Sequence, residues 1–216
     1  HPNADLLVFP MAIFKQNIED MDATHNWIPP GKEANFLHLF LKHQLPWQTM
    51  QPLWRKNFIN KIGGFDENFV RLQDVEIHTR ALIEGAKVET FPNLRKDCNF
   101  RIDENRFGNK VFKHLNGFVV GAVQYYKKFY ALTKQDYEHK LLTGSLLEPL
   151  SNVCFQRKAN KITKAEYLQL TNQIFIACAY KNHGLLLKTF AAVYQFSPVH
   201  PKGLKKLISM LAGMST

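Results

Sequence analysis

The spacing of apolar residues changes part-way along this 216-residue chain, and that change constrains its fold more than any other feature. In the first half, short runs of strand character alternate with short helical patterns. "DLLVFPMAIF" (5–14) is nearly continuous in apolar residues, as a strand buried on both faces would be. "PPGKEANFLHLFLKH" (29–43) opens on prolines and then places Phe36, Leu37, Phe40 and Leu41 at helical spacing. "QPLWRKNFINKIGG" reads as a short strand or turn and then a short helix stopped by Gly63. A further helix is predicted over 74–84, with Gly85 as its C-terminal stop, and "KVETFP" and "DCNFRI" read as short strands.

The second half carries only the helical period. Val111, Leu115, Phe118, Val119, Ala122, Tyr126 and Phe129 fall on one face of a long helix. "TKAEYLQLTNQIFIACAYKN" begins with Thr163 and Glu166 in capping-box spacing, where each residue satisfies a free backbone N–H of the other. "HGLLLKTFAAVYQF" and "KGLKKLISMLAG" complete an all-helical region. The boundary falls near Gly108, giving an α/β region over 1–108 and a helical region over 109–216. No internal repeat or low-complexity segment is present.

Charge follows the same division. Residues 1–108 hold thirteen Lys/Arg against fourteen Asp/Glu; residues 109–216 hold fifteen against four, so the net charge of +10 belongs to the second half. With 45% hydrophobic and 21% charged residues the chain is that of a folded protein rather than a disordered one. Cys98, Cys154 and Cys178 are odd in number and share no metal-ligand spacing, so buried structural thiols in a reducing compartment are expected. "FVVGAV" and "IFIACAY" fall well short of a membrane span, and no signal peptide is visible. A start at His1, in the middle of what reads as a strand, suggests a piece of a longer protein.

Residues 62–92, "IGGFDENFVRLQDVEIHTRALIEGAKVETFP", combine a flexible acidic turn with an acidic helix start. Gly63 and Gly64 permit backbone conformations closed to other residues and close approach to a ligand. Phe65 is placed to anchor the turn in the core, with Asp66 and Glu67 facing outward or capping. Asp74 and Glu76 lie in the first turn of the next helix, where the helix dipole favours an acid. On these residues alone the plainer reading makes Asp74 an N-cap and the glycines a tight turn. Asp74 and His78 share a face at i,i+4 and read as an exposed pair without a third ligand.

The stretch "LWRKNFINKIGGFDENFVRLQDVEIHTRALIEGAKVETFP" resembles the acceptor-side half of family 2 glycosyltransferases of the GT-A fold. Its matching elements are Arg55, the turn Gly63-Gly64-Phe65-Asp66-Glu67, Asp74, Arg80, Gly85 and Pro92, and "HPNADLLVF" is similar to the strand that follows that family's metal-binding segment. The resemblance covers roughly residues 1–106. It implies the C-terminal half of a GT-A, Rossmann-like domain and inverting transfer from a nucleotide-sugar to a glycan or lipid-linked acceptor. Asp74 would be the general base, with Trp54, Arg55, Gly63, Gly64, Phe65, Asp66, Gln73 and Glu76 around the substrate and Trp54 able to stack on a sugar. Gln73 stands where the family carries glutamate. The resemblance also implies a divalent metal, Mn or Mg, whose Asp-x-Asp ligands belong upstream of this chain. Asp20 and Asp22 have that spacing but follow the first strand, so they read as loop acids, and Asp103 receives no role.

Two rival classes stand beside this one. A non-catalytic basic helical module would bind a polyanion such as nucleic acid, yet the lysines are spread over several amphipathic helices without a recognition helix or aromatic platform. Nucleic acid is therefore not the expected partner, and an anionic membrane surface accounts better for the basic region. A non-catalytic relative is the third reading, suggested by Gln73. The expected location is cytoplasmic, peripheral on the inner face of the membrane, with "KGLKKLISMLAG" either packing on the preceding helices or docking there.

Overall fold

The apolar run at 5–14 is two strands, not one. Pro10 cannot donate a ladder hydrogen bond, and the computed structural model breaks the run there into β1 (Leu6–Val8) and β2 (Met11–Phe14), which join different sheets. The structure describes residues 3–17, 19, 28–96, 98–102, 110–196, 206, 210 and 213. The loop acids Asp20, Asp22 and Asp103, and most of "KGLKKLISMLAG", lie outside those residues.

The molecule is mixed α/β, mostly helical, with two small sheets, and it divides into two compact units. The first comprises His1–Phe40, Gln44–Glu67 and Gln73–Phe107. Its elements after β2 are α1 (Phe36–Leu41, whose last residue is assigned to the second unit), β3 (Pro52–Trp54), α2 (Lys56–Lys61), α3 (Gln73–Ile83), β4 (Val88–Thr90) and β5 (Cys98–Arg101). In one sheet β1 is central, antiparallel to β3 with Leu6 opposite Trp54, and parallel to β4 with Leu6 opposite Val88. In the other, β2 runs parallel to β5 with Met11 opposite Cys98.

Gln51 fixes the kink between β1 and β2. It is buried, its amide donates to the Phe9 carbonyl at 2.8 Å, and its own carbonyl accepts the Phe9 N–H. Leu6, Val8, Met11 and Ala12 then enter the core with Phe40, Trp47, Phe58, Val75, Ile77 and Ala81. The helical spacing of Phe36, Leu37, Phe40 and Leu41 is realised as the six residues of α1, preceded by a turn at residues 32–34.

The second unit comprises Leu41–His43, Asn68–Leu72 and Gly108–Thr216. It is built on α4 (Val111–Leu132), α5 (Asp136–Lys158), α6 (Lys164–Ala177) and α7 (His183–Phe196). The capping box at α6 forms as its spacing predicts: the Glu166 N–H donates to the Thr163 hydroxyl, and the Thr163 N–H donates to the Glu166 carboxylate at 2.7 Å. Helix α5 was not marked by the periodicity of the sequence, because it packs against α4, α6 and α7 and has no polar face. Leu141, Leu142, Leu146, Leu147, Leu150 and Val153 are all buried, and Pro149 sits within it, removing the N–H that the Ser145 carbonyl would accept. Of the three cysteines only Cys154 is fully buried, and its thiol is pushed up to about 12 by that burial; Cys98 and Cys178 are half-buried.

Two helix glycines explain why short stretches from the first half belong to this unit. A Cβ on Gly121 of α4 would lie 2.9 Å from the Arg71 backbone, and one on Gly144 of α5 would lie 3.1 Å from the Lys42 backbone. Only bare backbone admits residues 68–72 and 41–43 so closely. Tyr126 closes the far end of α6, where its phenol oxygen accepts the N–H groups of Ala179 and Tyr180, both at 3.2 Å. Asp136 anchors the connection to α7 through Lys181 at 2.7 Å and Tyr180 at 2.9 Å, and these bonds hold its carboxyl down to about 2. Among the described residues no helix is long and apolar enough to cross a membrane.

Gly121→Ala should destabilise the protein by about 1–3 kcal/mol, since the Arg71 backbone cannot give way as a side chain would. Gly117→Ala should be neutral or stabilising by up to about 1 kcal/mol, because its nearest neighbour is the Arg71 side chain at 3.5 Å and alanine favours helix. Urea unfolding of the two variants checks the contrast.

Candidate functional site

The Gly63-Gly64 turn is the C-terminal cap of α2. The Gly64 N–H donates to the Ile59 carbonyl and the Gly63 N–H to the Asn60 carbonyl, each at 3.0 Å, while Gly63 takes φ +83° and Gly64 φ +66°. This is the Schellman arrangement, in which a left-handed residue lets the chain fold back over the last carbonyls. A Cβ at either glycine would meet nothing within 4 Å, so the positive φ, not close approach, requires glycine here. Helix α3 ends the same way at Gly85, φ +80°, with the Ala86 N–H on the Ala81 carbonyl.

Arg80 of α3 holds this turn in place. Its guanidinium donates to the carbonyls of Ile62 and Gly64, the latter at 2.6 Å, and grips Glu76 with Nε at 2.6 Å and Nη2 at 2.9 Å. The hydrogen bond to Glu76, with Asp66 and Glu84 nearby, raises the Arg80 pKa despite desolvation. Glu76 is fully buried, so its carboxylate positions Arg80 and is not presented outward beside a substrate.

Asp74 differs from Glu76 in burial and in bonding. It is only half-buried, in the first turn of α3. One of its carboxylate oxygens accepts the N–H of the next residue, Val75, at 2.9 Å; among the described residues the other oxygen has no partner. Asp74 is not the N-cap, because α3 begins at Gln73, and the preceding residue, Leu72, carries the chain in with φ +66°.

The other expected substrate residues divide between scaffold and surface. The Arg55 Nε donates to the Ala4 carbonyl at 2.8 Å and lies 3.8 Å from Asp5, tying the start of α2 to the approach to β1. Phe65 does not anchor the turn in the core; it is 45% exposed. Gln73 is exposed and Asp66 half-buried. The Trp54 indole is half-buried, with one face stacked on His78 at 5.5 Å and 9°.

His78 is not exposed, as its spacing from Asp74 suggested. It is enclosed by Trp54, Trp47 and Phe40, with both ring nitrogens unpartnered, and burial lowers its pKa to about 3. The Asp74 carbonyl favours the protonated ring slightly but lies outside hydrogen-bonding geometry. Nothing in the local sequence marks this position as interior, because five successive residues of α3, Val75 to Thr79, are buried rather than one face. Among the described residues no three His, Cys, Asp or Glu side chains converge as a metal set.

No protein-family model, curated protein or solved structure matches this chain.

Arg80→Ala should cost about 3–5 kcal/mol in urea unfolding, because it removes the guanidinium that grips the buried Glu76 carboxylate at both oxygens. His78 should make the protein acid-sensitive. The unfolded chain protonates it near 6.5 and the folded one only near 3, so its contribution is fully present above pH 6.5 and is lost as pH falls toward 3. Between pH 7 and pH 5 the loss should be about 2 kcal/mol. His78→Phe should remove that slope in denaturation measured across the same range.

Proposed function

We propose that this chain carries the acceptor side of an inverting nucleotide-sugar transferase with a GT-A-type domain, and that Asp74 is its general base. The observation that supports this most is the division of labour between two acids one turn apart or less. Glu76 is buried and committed to Arg80, while Asp74 keeps a carboxylate oxygen unpartnered at the start of a helix. A carboxylate in that state can accept a proton from an incoming hydroxyl.

The proposed step is a single displacement. The acceptor hydroxyl oxygen attacks the anomeric carbon, its proton passes to Asp74, and the nucleoside diphosphate leaves from the opposite face with the bonding electrons. Arg80 acts through the turn, because it fixes Ile62 and Gly64 and so sets the backbone leading to Asp66. Trp54, half-buried and stacked on His78 by one face, is assigned to the apolar side of a sugar ring. Gln73, exposed beside Asp74, is assigned to the acceptor as a neutral hydrogen-bonding group. The described residues do not fit a divalent-metal site, so the Mn or Mg expected for the leaving diphosphate has no ligands assigned here and the proposed proton transfer rests on Asp74 alone.

Asp74→Asn in the complete protein should lower transfer by about 10²–10⁴-fold. The measurement is nucleoside diphosphate released from a panel of nucleotide-sugars in the presence of acceptor. The thermal melt should be unchanged, since Asp74 bonds only its own neighbour among the described residues. Undiminished release by the variant would remove Asp74 from the mechanism.

A further inference from the structure

Helix α7 is apolar on two opposite sides. Leu187, Phe190, Ala191 and Tyr194 are buried within the helical unit. On the other side Leu185, Lys188, Thr189, Ala192, Val193 and Phe196 recur at helical spacing, and all are exposed. Leu185 is 68% and Phe196 89% exposed, and the neighbouring α6 leaves Ile176 exposed as well. Packing among the described residues gives that outer face no cover, and a helix with one face already packed needs no leucine, valine and phenylalanine along the other in order to fold.

Charge indicates what covers that stripe. Beyond Glu166 the sequence holds five lysines and no aspartate or glutamate. Among them, Lys188 lies within the stripe, 5.9 Å from the Phe175 ring centroid, Lys181 is paired with Asp136, and Lys206 is exposed. The four acids of residues 109–216 are engaged elsewhere: Asp136 with Lys181 and Lys140, Glu138 at the N-terminus of α5, Glu148 with Asn152 and Glu166 in its capping box. An apolar stripe that carries a lysine, on a helix with no acid of its own, matches a surface that is both anionic and apolar just beneath. A second copy would bring like charge against like charge, and nucleic acid offers nothing to an aliphatic stripe.

We propose that the exposed face of α7 docks on an anionic lipid surface, with Leu185, Val193 and Phe196 entering the headgroup region and Lys188 meeting the headgroups. The attachment is interfacial: α7 lies in the plane of the surface and spans nothing. It does not depend on the glycosyl-transfer reading.

The test is co-sedimentation of the full chain with vesicles of phosphatidylcholine alone or mixed with phosphatidylglycerol. Binding should occur with the anionic vesicles and not the neutral ones, and should fall when salt is raised from about 0.1 to about 0.5 M. Leu185→Gln combined with Phe196→Gln should weaken it about tenfold or more. Lys188→Gln should weaken it by a smaller factor. These positions are exposed, so circular dichroism and thermal melts should match the parent. Failure to bind anionic vesicles, equal binding to both vesicle types, or undiminished binding by the double variant would each overturn the proposal. So would self-association in ultracentrifugation, or binding to a single-stranded DNA probe, that the double variant abolishes, because the stripe would then serve another partner.

Discussion

Arg80 uses four of the five N–H donors a guanidinium carries. Two go to the buried Glu76 carboxylate and two to the carbonyls of Ile62 and Gly64. Those carbonyls stand at the end of α2, where a helix leaves acceptors unsatisfied and where positive charge is favoured. The same bonds keep Glu76 in the interior, since a carboxylate there without a partner is strongly disfavoured. The turn therefore has a fixed shape although it is made of two glycines. Its position relative to the start of α3 is set by one side chain that belongs to α3 itself.

With that arrangement in place, acids of similar appearance become different groups. Glu76 is enclosed and bonded at both oxygens; Asp74, two residues earlier, is half-exposed and bonded at one. Their intrinsic chemistry is nearly the same, and only the environment separates an acid bonded at both oxygens from one bonded at a single oxygen among the described residues. Beside them, His78 is held neutral by burial among Trp54, Trp47 and Phe40. It adds a stacking surface beneath Trp54 and contributes no charge near neutral pH.

The helical unit is organised by a different constraint, close approach of backbone to backbone. Gly121 and Gly144 admit the Arg71 and Lys42 backbones against α4 and α5, so a chain break drawn at one point in the sequence does not describe the units. Helix α5 is buried over most of its middle, from Leu141 to Cys154, which is why it lacks the polar face by which amphipathic helices are recognised. Helix α7 shows the converse, with an apolar outer face that packing among the described residues does not account for.

The sequence by itself determined what depends on neighbours along the chain. The Thr163–Glu166 box, the glycine stops at Gly63 and Gly85, the long α4 face and the location of basic charge all follow from spacing of a few residues, because caps, left-handed turns and helix periodicity are local. The short strands β3, β4 and β5 were legible for the same reason. Only the tertiary structure decided that 5–14 is two strands, that Phe65 lies outside and His78 inside, and that Glu76 serves Arg80 while Asp74 does not. Those outcomes depend on which distant groups meet: Gln51 on Phe9, the indole of Trp54 on an imidazole, an arginine on a turn sixteen and eighteen residues earlier. Burial and hydrogen-bond satisfaction are properties of such meetings, and a side chain's type does not specify its partners.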